Sequence, residues 1–381
     1  MAVPRPLTPR AFRCRCGRPI FFRNSQCLAC HTPLGYDPAR RLLLPLQRVD
    51  TPQGDAGGPE LWRAAGARKS RPYQLCAHRD SPAACNWLVD PGDTHAVLQP
   101  GQAPLCRCCR LTRTLPDLSV PENQGYWLRI AQAQRRLVSA LIGLGLPVQS
   151  RISEDPQHGL VFDVLRSLPG QPPVMTGHAD GVITLDAEEA DDARREQRRA
   201  DLQEPYRTLL GHLRHETGHY YWQRLVGDEA SPWLDAFREL FGDERQDYAA
   251  ALQAHYQQGA QADWRERHVS AYASSHPWED WAETWAHYLH LRDTLDTARS
   301  FGVDGETIEL DYERFTPDVL GTWADASAPG FLRLVNGWME LTGVLNELSR
   351  SMGVPDFYPF VLSAAVLRKL YLVHRVIGAP A

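Results

Sequence analysis

The sequence predicts an α+β protein in which two small cysteine-rich modules precede a mainly helical domain with a small β-sheet. Three observations carry this reading. All nine cysteines lie within the first 109 residues, an HExxH pattern stands at His215–His219, and apolar residues recur at three- and four-residue spacing after the last cysteine.

At 381 residues the chain has room for two or three domains. Composition places the boundaries near 50 and 118: modules at 1–50 and 51–118, then a domain over 119–381. Hydrophobic content of 43% and charged content of 23% are globular values and exclude wholesale disorder or a fibrous protein. No apolar run approaches the about 18 residues of a membrane span, and Pro4, Arg5, Pro6, Pro9, Arg10 and Arg13 interrupt any export signal near Met1. A cytoplasmic protein without a membrane partner is expected, and paired cysteines fit a reducing compartment. Charge is divided unevenly. Residues 1–115 carry 17 Lys+Arg against 7 Asp+Glu, so +10, leaving 41 − 17 = 24 against 46 − 7 = 39, or −15, for the remainder. The basic segment suits a nucleic-acid or acidic protein partner, although Lys69 and Lys369 are the chain's two lysines and the excess is an arginine habit.

In the first module Cys14 and Cys16 precede Cys27 and Cys30, with Gly17, Pro19 and Pro33 supplying turns. Four thiolates on two tight turns suit a tetrahedral structural zinc, which stabilises a module too small to fold on its own core. A connector rich in Gly and Pro spans Asp50 to Ser70. The second set, Cys76, Cys85, Cys106 and Cys109, is looser; Cys106 and Cys109 have the usual two-residue gap, which makes Cys108 the spare thiol. A second structural zinc is the expectation here, a redox or partly free set the alternative. Neither set leaves an open metal position, so catalysis belongs elsewhere.

After Pro116–Pro121 the spacing of Tyr126, Trp127, Ile130, Leu137, Leu141 and Leu144 predicts a helix. Alternation in Gly159–Leu165 and the run Gly181–Leu185 predict two strands of a small sheet. The charge run from Asp186 to Arg199 reads as a solvated helix face. The remainder reads as helices broken at Gly302, Pro317, Pro329 and Pro355.

Pro205 opens an apolar run, Tyr206, Leu209, Leu210 and Leu213, and is placed as the first residue of the helix carrying the HExxH pattern. Four residues apart, His215 and His219 project from one face and suit a shared Zn²⁺. Glu216, offset by about 100°, suits a general base acting on water that the zinc polarises. His212 shares the histidine face one turn earlier, in a packing or supporting role.

A catalytic zinc needs a third protein ligand. The segment His276–His290, HPWEDWAETWAHYLH, has Ser275 or His276 as a cap, Pro277 as first residue, and acids suited to a helix start with or without a metal. On a helical wheel Trp278, Trp281, Ala282, Trp285, Tyr288 and Leu289 form one apolar face. Glu279 lies at its edge, whereas Asp280 and His287 point away. Glu279 is therefore the third-ligand candidate, and Glu283, one turn on, is placed to hydrogen-bond a ligating histidine.

At this point the chain resembles the bacterial zinc-binding metallopeptidases that carry an N-terminal zinc-ribbon region. The resemblance rests on FRCRCGRPIFFRNSQCLAC, CNWLV with LCRCCRLTRTLPDL, GHADGVITLDAEEADD, EPYRTLLGHLRHETGHYYW, SSHPWEDWAETWAHYLH and FYPFVLS, spread over nearly the whole chain. It implies zinc-ribbon-like modules and a zincin-like metallopeptidase domain with His215 and His219 as ligands and Glu216 as base. WEDWAE is similar to the downstream glutamate motif of gluzincin peptidases, which agrees with Glu279. By the same analogy GVITL would be the edge strand to which an extended peptide adds, with His178 and Asp180 either facing the cleft or simply forming a turn. Tyr358 is preferred as oxyanion stabiliser over Tyr272 and Tyr220.

The expected protein is a zinc-dependent metallopeptidase with one catalytic and two structural zincs, acting on a peptide or protein. The rivals are a zinc amidohydrolase of non-peptide substrates and a nucleic-acid- or protein-binding protein whose HExxH domain is vestigial.

Overall fold

A short antiparallel hairpin, β1 (Ala11–Arg13) with β2 (Pro19–Phe21), holds the first cysteine pair at its turn. The computed structural model describes residues 6–49, 60–67, 71–168, 170–201, 208–305, 308 and 310–379. Most of the connector expected between Asp50 and Ser70 lies outside them. Two compact units are present, Leu7–Gln197 and one built on Arg198–Ala381.

In the first unit, β3 (Leu34–Asp37), β4 (Leu42–Arg48) and β5 (Trp62–Ala64) form an antiparallel sheet, and β6 (Gln74–Leu75) pairs with β7 (Leu88–Val89). Leu44, Leu46, Tyr73 and Leu88 make a shared apolar cluster beneath them. β8 (Thr112–Thr114) then enters a mixed sheet with β9 (Val161–Leu165), β10 (Gly177–Ala179) and β11 (Val182–Asp186), in the order β10-β11-β9-β8. Parallel neighbours need a long crossover, and the helix predicted after Pro116 supplies it between β8 and β9 as α1 (Pro121–Gly143). Pro121 is its first residue, where a missing N–H costs nothing.

Two expectations change here. GVITL is not an edge strand: β11 is hydrogen-bonded to β10 on one side and β9 on the other, so no edge remains for an added peptide. His178 lies in β10 opposite Ile183 and Asp180 in the turn to β11, where His178 Nε2 accepts from the Gly181 amide at 3.0 Å. The charge run is also not one solvated face. Glu188 and Glu189 are buried before α2 (Asp192–Asp201) begins, Glu188 paired with Arg166 and Arg194 and Glu189 accepting from the Thr176 hydroxyl at 2.9 Å. Buried carboxylates persist only with such partners.

The second unit is helical: α3 (Leu209–Leu225), α4 (Leu234–Phe241), α5 (Tyr248–Gln258), α6 (Trp264–Arg267), α7 (Pro277–Ser300), α8 (Ala328–Ser351) and α9 (Ala364–Gly378). α7 packs against α3, α4, α8 and α9, around Trp281, Trp285, Trp338, Phe237, Phe331 and Tyr371. Surrounded on these sides, α7 has no single apolar face. Asp280 and His287, expected to point away, are buried: Asp280 Oδ2 lies 2.5 Å from Lys369 Nζ and 3.1 Å from His268 Nδ1, and His287 Nδ1 lies 2.6 Å from the Tyr358 hydroxyl. A charge taken from water needs this kind of compensation. Among the described residues no helix is long and apolar enough to cross a membrane.

Candidate functional site

α3 begins at Leu209 beneath an N-cap at Thr208, whose hydroxyl accepts from the Gly211 amide at 2.9 Å. Pro205 and Tyr206, read as the opening of this helix, lie outside the described residues. The two residues inside the HExxH pattern hold the helix in place. Thr217 Oγ1 donates back to the Leu213 and Arg214 carbonyls at 3.1 and 2.9 Å. Gly218 lets α7 approach until a Cβ there would sit 2.8 Å from Ala282 Cα, and Trp281 Nε1 donates to the Gly218 carbonyl at 3.0 Å. At the start of α7, His276 is the cap, its Nδ1 accepting from the Trp278 amide at 3.1 Å.

This contact brings together three side chains from two helices. His215 Nε2 lies 3.2 Å from His219 Nε2 and 3.1 Å from Glu279 Oε2, and His219 Nε2 lies 3.4 Å from Glu279 Oε1. Bonds of about 2.1 Å to a tetrahedral zinc would set ligand atoms about 3.4 Å apart, so the spacing and donor set fit that ion. On the far side of His215, Nδ1 meets Glu283 Oε1 at 2.7 Å, and Glu283 Oε2 accepts from Ser270 Oγ at 2.6 Å. That chain fixes the imidazole so that Nε2 faces the other two groups.

The electrostatics reflect the crowding. Burial alone would depress the His215 imidazole, but Glu279 and Glu283 hold it well above its ordinary pKa. Burial would raise the Glu279 carboxyl, and His219 and His215 hold it well below. Glu283 is likewise brought down to about 2, against burial, chiefly by His215. Glu216, on the same turn, is buried with His212 Nε2 3.3 Å from its Oε1; burial opposes ionisation, but His212 and the neighbouring imidazoles lower its pKa. The Trp278 ring lies 4.0 Å from that of His219, and the Tyr272 ring 6.0 Å from that of His215.

Tyr358 is placed differently from expectation. Its hydroxyl meets His287 and its ring packs on Trp338, with Asn346 holding its backbone amide at 2.9 Å. Tyr220 is core, packed on Tyr221. Tyr248, which the sequence reading passed over, donates its hydroxyl to Glu279 Oε1 at 2.8 Å. Its signal was absent because α5 is a separate element with no motif of its own; Ser270 was missed for the same reason.

In the first unit the sulfurs of Cys14, Cys16, Cys27 and Cys30 lie within 4.8 Å of one another, and so do those of Cys76, Cys85, Cys106 and Cys109. The sulfurs stand 3.6 Å apart in Cys14–Cys30, 3.7 Å in Cys16–Cys27 and 3.6 Å in Cys85–Cys106. Four sulfurs around zinc at about 2.3 Å stand about 3.8 Å apart, whereas a disulfide is about 2.05 Å long. The Cys106 and Cys109 amides donate to Cys76 Sγ and Cys106 Sγ, each at 3.4 Å, and the Thr32 hydroxyl is the main cause bringing Cys30 down to about 6. Cys108 stands outside the second set; burial pushes its thiol well above the ordinary range, so it stays protonated.

Two family models match the chain. Residues 123–376 match the family described as "Putative zinc-binding metallo-peptidase", and residues 11–120 match a zinc-ribbon domain. Uncharacterized proteins of Mycobacterium bovis and of two Mycobacterium tuberculosis strains are each 42% identical to the chain over 369 residues, covering 97% of it and 95% of the relative. No solved structure matches. With a helical HExxH unit over most of the first match and two four-cysteine sites within the second, the chain belongs to this family of zinc-binding metallo-peptidases.

Proposed function

We propose that the protein is a zinc-dependent metallopeptidase whose centre is formed by His215, His219 and Glu279. The observation that supports it most is the convergence of two imidazole Nε2 atoms and one carboxylate within 3.4 Å, with Glu216 on the same turn. A zinc held there would polarise a peptide carbonyl and acidify water. Glu216, kept ionised by His212 and its neighbours, would accept the proton of an attacking water and pass it to the departing amine. Glu283 and Ser270 fix His215, while Trp278 covers the ring of His219. Tyr248, whose hydroxyl donates to Glu279 Oε1, would turn that O–H to the carbonyl oxygen once substrate is bound, in place of Tyr358. The two four-cysteine sites are proposed as structural zincs, giving three per chain.

The test is metal analysis joined to activity on a peptide library. The parent should hold about three zincs and His215→Ala/His219→Ala about two, while Glu216→Gln should keep its zinc and lose roughly 10²-fold or more in rate. Equal zinc in parent and double variant, or undiminished cleavage by Glu216→Gln, would reject the proposal.

A further inference from the structure

α5 buries none of its residues, yet its inward side chains meet the most enclosed part of the helical unit. Tyr248, its first residue, donates to Glu279 Oε1 at 2.8 Å and sets its ring 5.9 Å from that of Trp278, which in turn covers His219. Seven residues later, on the same helical face, His255 meets Tyr272 edge-on at 5.9 Å, and Tyr272 faces His215. Beneath these contacts the candidate centre is largely buried: Glu279 is 1% exposed, His219 and Glu216 4%, and His215 8%. Exposure this small leaves an extended peptide little of the centre to touch while α5 stays in place.

The two ends of α5 show what moves. Gly259 follows it with φ 79°, a region of backbone space open to glycine and strained for other residues, whereas Gly242, with φ 105°, caps α4 and lies five residues before the α5 N-cap Asp247. The chain thus turns sharply at the C-terminal end of a helix that buries none of its own residues. The intervening segment is secured on the α4 side, where Arg238 grips Glu244 at 2.5 Å, so motion of the helix is confined to the stretch beyond it.

We propose that α5 is a lid over the centre, latched at one end by Tyr248 on Glu279 and at the other by His255 on Tyr272, and that substrate enters when the helix unlatches and opens by local unfolding. The proposal rests on the hydrolase reading for its purpose. Its mechanical content can be tested independently. A helix with no buried face opens at lower free energy than its neighbours, so α5 amides should exchange with solvent faster than those of α7 by tenfold or more.

The experiment is hydrogen exchange read by mass spectrometry on the full, zinc-loaded chain, with Tyr248→Phe and His255→Ala beside the parent. Each variant should speed exchange in α5 by roughly fivefold, the equivalent of one lost contact, and leave α7 unchanged. EDTA should strip one of three zincs faster in the same proportion. His255→Ala is decisive because its contact is with Tyr272 and not with the three converging groups. Exchange in α5 as slow as in α7, exchange unchanged in both variants, or faster exchange without faster stripping would each overturn the lid. Failure of the hydrolase reading is separate: it appears as unchanged zinc content in His215→Ala/His219→Ala, whatever α5 does.

Discussion

Gly218 on α3 and Ala282 on α7 touch so closely that the first has no room for a side chain: an added Cβ would lie 2.8 Å from Ala282 Cα and 3.2 Å from the Ala282 carbonyl oxygen. Backbone cannot yield as a flexible side chain does. This contact sets the distance between the helix bearing both histidines and the helix bearing Glu279, so it governs the centre as well as the core. Gly218→Ala should therefore cost about 1–3 kcal/mol in urea unfolding and also lower the zinc content by about one per chain. Loss of stability with full zinc content would show that α3 and α7 can separate without disturbing the three ligand candidates.

Glu283 touches His215 from behind, at 2.7 Å from Nδ1. Glu283→Gln keeps the shape but removes the charge, and should weaken zinc at this centre by about 10–100-fold, measured by competition with a chelator of known affinity. The four-cysteine sites serve as internal controls and should hold their metal unchanged. An unaltered affinity would mean that a neutral acceptor at position 283, with packing, is enough to orient the ring.

How far the sequence could foresee this depends on how local each relationship is. Two histidines four apart on one helix share a face whatever surrounds them, and cysteine pairs on tight turns carry their geometry with them, so both were legible. Glu279 was picked from a helical wheel that assumed one polar side for α7. Asp280 bonded to Lys369 and His287 beside Tyr358 show that this helix is enclosed all round, so the wheel pointed to Glu279 while misplacing its neighbours. GVITL reads as a strand from its own residues, but whether it lies at an edge depends on β10, which no pattern within GVITL announces. Tyr248 comes from α5 and Ser270 from the segment just before α7, and only tertiary packing turns them towards Glu279 and Glu283.

The two kinds of cysteine in the second set should separate cleanly. Cys85→Ser removes one of four sulfurs within 4.8 Å, so it should release one zinc and lower the thermal midpoint of the first unit, since metal binding and folding are coupled in such sites. Cys108→Ser, outside the set and protonated, should keep all three zincs. Metal loss from Cys108→Ser would place that sulfur among the ligands and remove one of the other four.

Acid should act on the helical unit through His374. Burial is the main cause bringing this imidazole down from 6.5 to about 4, and its Nδ1 lies 2.8 Å from the Tyr288 hydroxyl. In the fold it is neutral to about pH 4, whereas the unfolded chain takes up a proton as pH falls below 6.5. The unfolded state thus binds more protons between those values, so the contribution of the neutral histidine is complete above pH 6.5 and is lost as pH falls towards 4. The loss should reach about 2 kcal/mol, less than the full shift allows because the ring is partly exposed. Comparing the parent with His374→Gln cancels the other titrating groups, including the metal centres. The variant should be less stable than the parent at pH 7 by the lost packing, and the gap should narrow or reverse by pH 4.5. A gap that stays constant with pH would show that His374 titrates in the fold as it does in the unfolded chain.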